Sequence, residues 1–577
     1  MQLTSLDWVI IFSYLFISLA VGMWASKKAG KDIKSFFLAD QKMPWWLLGV
    51  SMVATTFSTD TPNLVTDLVR QKGVSGNWAW WAFLLSGMLT VFVYAKLWKR
   101  SGVLTDIEFY ELRYSGKAAT FLRGFRALYL GLIFNVLVMG AVSLAAIKFG
   151  EIVLGWSGWL TLSIACSITL AYSTLGGLKA IIITDFIQFI LAMIGSLWAM
   201  FYLLGLPQIG GLSSLLAHIN VADKLALIPD MSDKNVWVPL LLVPLAVQWW
   251  ASYYPGSEPG GGGYIAQRMF SAKDETNAVG ATFFFNAAHY ALRPWPWIII
   301  ALCSLIVFPE LKDLQSAFPN LPADKLGHDV AYPAMLTLLP SGLLGLVAAS
   351  LIAAFMSTMS TQVNLGASYL VNDFFHRFIN TDADEKQLVL AGRLFTILSI
   401  ILGGSLGLIL KSAGQAFNLL LMIGAGTGLI YILRWFWWRI NAYTEIVAMI
   451  SSLLISLYFN FFNTSLEGWQ KIVIGALLTT IIWITATFIT PKDDEETLKQ
   501  FVKKVNPGGP GWKKFQDAAH SETWPVPNGI LSMILGCIGV YGVLLGVGQI
   551  IYGNNTYGLI LLGIAYLSGL QLKRRMQ

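Results

Sequence analysis

Charged side chains are scarce in this chain. Asp, Glu, Lys and Arg make up 12% of its 577 residues, about half the share of a soluble domain. Cysteine is scarcer: Cys166, Cys303 and Cys537 are the only three, and each lies inside an apolar run. That excludes a disulfide framework and a cysteine-based metal cluster. There are five histidines, and no intramembrane His–Asp or metal-ligand pattern is found, which speaks against a membrane-embedded transferase. No basic patch interleaved with aromatics occurs in a polar segment. The net charge of +7 therefore reads as positive-inside loops, and no nucleic-acid partner is expected.

What the chain has instead is apolar sequence, with 56% hydrophobic residues and a mean hydropathy of +0.63. Apolar runs of about 20 residues recur, the length that spans a bilayer. The expected class is an all-α polytopic membrane protein of about 15 transmembrane helices, multi-pass in the plasma or inner membrane. The run Leu6 to Ser26 lacks a basic leader and an A-x-A site and is expected to be a retained helix. Lys27, Lys28, Lys31 and Lys34 follow that run; Arg100, Arg113, Lys117, Arg123 and Arg126 follow the third; Lys573, Arg574 and Arg575 form the tail. All fall on one side if the N-terminus is outside. Arg70, Lys72 and Lys224 fall on the other. The ranges 157–175 and 180–204 are read as two consecutive spans.

Two spans are interrupted. The one over 44–70 is apolar to Ala54, then polar from Thr55 to Asn63, with Pro62 inside. Pro62 removes a backbone donor and disfavours helix at Thr61. Asp60 would then lie near mid-membrane, where it must face a cavity. The span over 236–255 gives way to Gln248, Trp249, Trp250 and Ser252, then Pro255, Pro259 and Gly260 to Gly263. Broken spans at matching places in two halves point to a midplane binding site in an inverted-repeat transporter. Asp60, Gln248, Trp249 and Ser252 are solute candidates by location.

Hydroxyls appear deep in another apolar run: Ser357, Thr358, Ser360 and Thr361. Ala354, Ser357 and Thr361 share one helical face, and oxygen is what a hard cation takes as ligand. Taken alone, the stretch also fits close helix packing and bonds back to the helix's own carbonyls. Asp185 sits among Ile181, Ile182, Ile183 and Phe186, and an acid there is a functional candidate or a cap near the inner interface. His289 and Arg293 either line a polar path or snorkel.

Three motifs, in this order, resemble the sodium:solute symporter family: Ser51-Met-Val-Ala54-Thr-Thr-Phe57-Ser58, Leu175-Gly-Gly-Leu-Lys-Ala-Ile-Ile-Ile-Thr184-Asp185-Phe-Ile-Gln188, and Ala353-Ala-Phe-Met-Ser357-Thr358-Met-Ser360-Thr361-Gln-Val-Asn364. Tyr264-Ile-Ala-Gln267-Arg268 fits the segment after the second broken helix. The resemblance covers roughly residues 1 to 490. It implies a leucine-transporter-type inverted five-plus-five helix repeat with extra N- and C-terminal helices. The parts are then a first helix and cytoplasmic loop (1–43), one repeat (44–204), the second (236–436), two added helices (437–489), a cytoplasmic linker (490–527) and two peripheral helices (528–577).

The resemblance also implies a first sodium site, formed by the carbonyls of Ala54, Phe57 and Ala354 and the hydroxyls of Ser357 and Thr358. Asp185, Ser357, Ser360 and Thr361 match a second, so two Na+ ions are expected. Ser58 and Thr61 match solute-contacting positions, and Tyr264 matches the inner-gate aromatic. Gly262 departs from the polar residue of sugar-transporting relatives, and Thr56 from the usual Asp or Asn. The function implied is sodium-coupled import of a small polar solute by alternating access, with no enzymatic activity and with a monomer sufficient. Aromatic residues near the second break favour a sugar or sugar acid. An amino acid or carboxylate, proton coupling through Asp185, and a solute sensor stand as alternatives.

Overall fold

A computed structural model describes residues 3–29, 38–251, 259–462, 465–518, 524 and 526–576. In chain order the helices that matter here are α1 (Ser5–Ala29), α2 (Trp45–Thr55), α3 (Asp60–Lys72), α4 (Val74–Ser101), α5 (Gly116–Leu154) and α6 (Gly158–Leu204). Then come α7 (Lys234–Ala246), α8 (Gly263–Ser271), α9 (Glu275–Val307), α10 (Leu343–Ile379), α11 (Glu385–Ile409), α12 (Ala413–Leu433), α13 (Ala442–Phe461) and α14 (Gly468–Ile489). The chain ends with α15 (Glu495–Val505), α16 (Val526–Ile551) and α17 (Asn555–Met576). Among the described residues nine helices are long and apolar enough to cross a membrane, and extended structure is limited to one isolated bridge between Met43 and Ala272.

Both predicted breaks are present. The first separates α2 from α3 at Thr56–Thr59. Thr61 differs from expectation: it is helical, because Pro62 falls in the first turn of α3, where its missing N–H costs no helix bond. The second break follows α7, passes through a short turn at Gln248–Trp250 and ends where α8 begins at Gly263. Gly261 explains part of the glycine run. Its φ is +80°, and a Cβ there would lie 2.5 Å from the Thr90 side chain. Only glycine meets both demands.

α6 is one run of 47 residues, about 70 Å if straight and more than twice the hydrocarbon thickness. Yet both of its ends stand near the start of α10. Trp156, just before α6, stacks on Trp8 with ring centroids 5.8 Å apart, and the neighbouring Asp7 binds the N–H groups of Gly342 and Gly345 at 2.7 and 2.8 Å. Gly195, late in α6, packs against Val347 and Ser350. The run therefore turns back on itself, as two spans require. Of residues 171–177 only the backbone is described.

Asp7 also has a stabilising role. Its buried carboxylate sits on the free N–H groups at the positive end of α10. Asp7→Ala is expected to cost about 1–2 kcal/mol, read as a lower melting temperature of the solubilised protein.

Helices in a bilayer associate through close packing and hydrogen bonds, since lipid is as apolar as leucine. The crossing of α5 and α10 illustrates this. A Cβ on Gly366 would lie 2.6 Å from the Gly131 carbonyl, and Asn135 Nδ2 donates to the Gln362 carbonyl at 2.8 Å. The hydroxyl-bearing turn of α10 is thereby fixed one turn away. At the chain's end, α16 is tied to the core: Tyr541 donates to the Trp81 carbonyl at 2.8 Å, and Trp295 Nε1 to the Leu544 carbonyl at 3.0 Å. α17 lies outside it, with Tyr557 and Leu559 exposed.

Candidate ion and solute site

The two breaks converge with α6 and α10 on one buried cluster. Ala54, Phe57, Ala354, Ser357 and Thr358 are all buried. Thr358 Oγ1 donates to the Thr55 carbonyl at 2.8 Å, so α10 meets the end of α2 beside Ala54. Thr55 Oγ1 and Thr361 Oγ1 are 3.3 Å apart. The Ala54 carbonyl accepts from Phe57 N at 3.0 Å, which closes the last turn of α2. Oxygens from two helices thus gather where a sodium ion is expected.

Asp185 is fully buried beside them. Ser357 Oγ donates to its Oδ1 at 2.6 Å, and Ser51 Oγ to its Oδ2 at 2.5 Å. Ser360 differs: it donates to the Ser357 carbonyl at 3.0 Å, the local bond that a serine makes within a helix. Arg268, also fully buried, enters the same cluster. Its Nε donates to Ser51 Oγ at 3.3 Å, Nη2 to Thr361 Oγ1 at 2.9 Å and Nη1 to Gln267 Oε1 at 2.9 Å. Nη2 is 3.9 Å from Asp185 Oδ2.

A second arginine serves the first break. Arg293 Nη1 donates to the Val53 carbonyl at 2.8 Å and to Thr56 Oγ1 at 3.1 Å, and Nη2 to the Thr56 carbonyl at 3.0 Å. A cation over the last carbonyls of a helix is favourable. Its guanidinium also lies over the ring of Trp297, 5.0 Å from the centroid.

Beside the breaks is a cavity of about 40 Å³, lined in part by Thr56, Ser86, Thr90, Tyr264, Asn286 and His289. It has room for about three waters. Tyr264, expected as the inner gate, lines it, whereas Ser58, Asp60, Thr61, Gln248 and Trp249, expected at the solute, are not among its lining residues. Ser58 is buried close to the break, and its hydroxyl has no hydrogen-bond partner among the described residues. Thr61 Oγ1 donates to the Thr56 carbonyl at 3.1 Å, bridging the break. Asp60 opens α3. Gln248 Nε2 donates to the Ala79 carbonyl at 2.5 Å, and Trp249 packs against Trp250 with centroids 5.4 Å apart. Ser252 lies outside the described residues.

Part of the polar wall of the cavity is on α9, where the sequence singled out His289 but not Thr282 or Asn286. Thr282, Asn286, His289 and Arg293 follow one another at spacings of four, three and four, one polar stripe through the middle of the helix. That stripe was the available signal.

His289 Nδ1 lies 3.2 Å from Thr56 Oγ1. The single proton of Thr56 Oγ1 goes to the Val53 carbonyl at 2.8 Å, so toward His289 this oxygen only accepts. In that arrangement the imidazole proton is on Nδ1. Nε2 has no hydrogen-bond partner among the described residues and is left to the cavity, as an acceptor in the neutral ring.

Residues 36–452 match the family model described as the sodium:solute symporter family. A sodium/glucose cotransporter from Vibrio parahaemolyticus is 24% identical over 514 residues, covering 86% of this chain and 92% of that one. A sodium/mannose cotransporter from Bos taurus is 26% identical, covering 79% and 78%. Sodium/myo-inositol cotransporter 2 of Homo sapiens is 25% identical, covering 78% and 68%. Among solved structures, a substrate-bound, outward-open Na+-coupled sialic acid symporter superposes with a TM-score of 0.65 at 20% identity, over 85% of this chain and 99% of that one. That likeness establishes the leucine-transporter type of fold.

Proposed function

This chain belongs to the sodium:solute symporter family, an integral membrane family, and on that premise we propose that it imports a neutral sugar or polyol together with sodium by alternating access. The observation that carries the solute class is the cavity between the breaks. Its polar wall is built from hydroxyls, one amide and the acceptor Nε2 of His289. Such a set matches a solute that donates from a hydroxyl group. The glucose, mannose and myo-inositol of the related cotransporters have that chemistry. The cavity must widen to admit a sugar, so the helices around it part during the cycle. A sugar acid is the second reading, favoured by the Arg293 guanidinium that donates to Thr56 at the cavity wall.

Sodium binds, in this proposal, at the carbonyls of Ala54, Phe57 and Ala354 and the hydroxyls of Ser357 and Thr358. The contact of Thr358 with the Thr55 carbonyl supports it, since both helices already meet there. An ion bridging α2 and α10 stabilises the solute-competent state, and sodium and solute raise each other's affinity by linkage. Tyr264 moves aside on the inner route. Ser58, Asp60, Thr61, Gln248, Trp249 and Ser252 are proposed to reach the solute once the cavity opens. Asp185, Ser357, Ser360 and Thr361 form the second cation position of the proposal.

A thermal-shift screen of sugars, polyols, sugar acids and amino acids, each with sodium and with potassium, tests the solute class. A neutral sugar or polyol at a hundred times its Kd should add about 2.7 kcal/mol of stability, in sodium only. Replacing the contacted hydroxyl with fluorine, which accepts and does not donate, should weaken binding roughly tenfold. That penalty should vanish in His289→Phe. A sodium-dependent shift with amino acids alone would overturn the solute class.

A further inference from the structure

We propose that Asp106 is a positioning residue for Tyr264, and that its carboxylate latches the start of α8 to α10 until the inner route opens. This rests on the alternating-access reading above and concerns what holds Tyr264 in place. Asp106 lies in the loop between α4 and α5, within the basic stretch from Arg100 to Arg126 that is expected on the inner side. It is buried, and so are Gly263, Tyr264 and Tyr369. Its Oδ2 accepts from Gly263 N at 2.8 Å, and its Oδ1 from the Tyr369 hydroxyl at 2.5 Å. Gly263 is the first residue of α8 and directly precedes Tyr264, which lines the cavity. Tyr369 is on α10, about two turns after Thr361.

A carboxylate that merely caps a helix needs only the N–H group. The bond to Tyr369 adds a second consequence, because one carboxylate then joins α8 to α10. The loop that carries Asp106 is fixed on the α10 side. Thr105 Oγ1 donates to Asp373 Oδ2 at 2.7 Å, and Arg123 Nε of α5 donates to Asp373 Oδ1 at 2.8 Å. Asp106 thus reaches α8 from a frame made by α5 and α10. On the other flank, Trp98 Nε1 of α4 donates to the Gly260 carbonyl at 2.5 Å, so the glycine run is held from that side as well. Charge-assisted bonds in a dry site are strong, and water entering from the inner side supplies the donors that replace them. In this proposal Tyr264 leaves the cavity wall with α8 once Asp106 lets go of Gly263 or Tyr369.

The test reads side-specific access to the cavity in membrane vesicles of either orientation. Thr282→Cys on the cavity wall is the reporter, in a parent chain whose Cys166, Cys303 and Cys537 are replaced by alanine. A membrane-impermeant thiol reagent labels it. The closed cavity has no room for the reagent, so labelling reports opening. Tyr369→Phe keeps the carboxylate on Gly263 and loses one bond, and the ratio of inner to outer labelling should rise roughly tenfold. Asp106→Ala loses both bonds and should raise it at least as much, with no further rise when Tyr369→Phe is added. Asp106→Asn offers an acceptor to Gly263 and a donor to the Tyr369 oxygen, and should stay within about threefold of the parent chain. An unchanged ratio in Tyr369→Phe, or additive effects of Asp106→Ala and Tyr369→Phe, overturns the inference. So does a lower melting temperature in Asp106→Ala with no change of side, the mark of a cap that latches nothing. If Asp106→Ala does not fold, Tyr369→Phe and Asp106→Asn still decide. If sodium does not shift labelling of the parent chain between the two sides, the alternating-access reading fails instead.

Discussion

Ser357→Ala is expected to reduce sodium-driven uptake by roughly a hundredfold, with a raised sodium requirement, while Ser360→Ala, which touches the second cation position alone, costs about tenfold or less. The two serines are one helical turn apart on α10 and both are buried, yet their hydroxyls differ in task. Ser357 Oγ supplies Asp185 Oδ1 at 2.6 Å, and it is also one of the five oxygens proposed around sodium. Removing it strips a donor from a buried carboxylate, at a cost of about 1–3 kcal/mol or more, and takes a ligand from the ion. Ser360 Oγ bonds the Ser357 carbonyl of its own helix, a contact that alanine replaces at little cost. Labelled-sugar uptake titrated with sodium checks both. Equal losses in the two variants would contradict the division of roles.

Arg293→Gln should be the most destabilising single change around the site. The guanidinium makes three hydrogen bonds to the end of α2, two of them to the carbonyls of Val53 and Thr56, which also accept from Phe57 N and Thr61 Oγ1. Bonds to a charged donor contribute about 1.5–3 kcal/mol each. A net loss of about 3 kcal/mol or more follows, which should lower the melting temperature by several degrees. Stacking over Trp297 is lost as well. Arg293→Lys keeps the charge but lacks the planar fork that serves two carbonyls at once, so it should fall between. A melting temperature unchanged in Arg293→Gln would show that the break is held by other contacts.

Much of this was legible in the sequence, and for physical reasons. Apolar runs, Pro62 and the glycine run are local signals, so the interrupted helices could be read directly. Asp185 and the hydroxyls of α10 stood out because polar groups are costly among isoleucines and leucines. Arg268 stands out in the sequence only as part of a motif. Its reach to Thr361 crosses 93 positions of sequence, and no periodicity encodes it. His289 and Arg293 were visible as polar residues before two prolines. Their task became definite only when Thr56 and the Val53 carbonyl came within bonding distance. Thr61 was misread because Pro62 was weighed as a breaker, whereas in a first turn proline is neutral. Gln248 shows the limit from the other side. Its amide is taken by the Ala79 carbonyl, a partner that position in the chain does not suggest.

The central claim is that a sodium gradient drives solute entry through the junction of α2 and α10. Uptake of a labelled neutral sugar or polyol, chosen by the thermal-shift screen, into proteoliposomes with sodium outside and potassium inside tests it most directly. The account predicts transient accumulation above the external concentration, abolished when sodium is equal on both sides and lost in Ser357→Ala. Uptake that proceeds equally with potassium on both sides, or that follows a proton gradient instead, would contradict it.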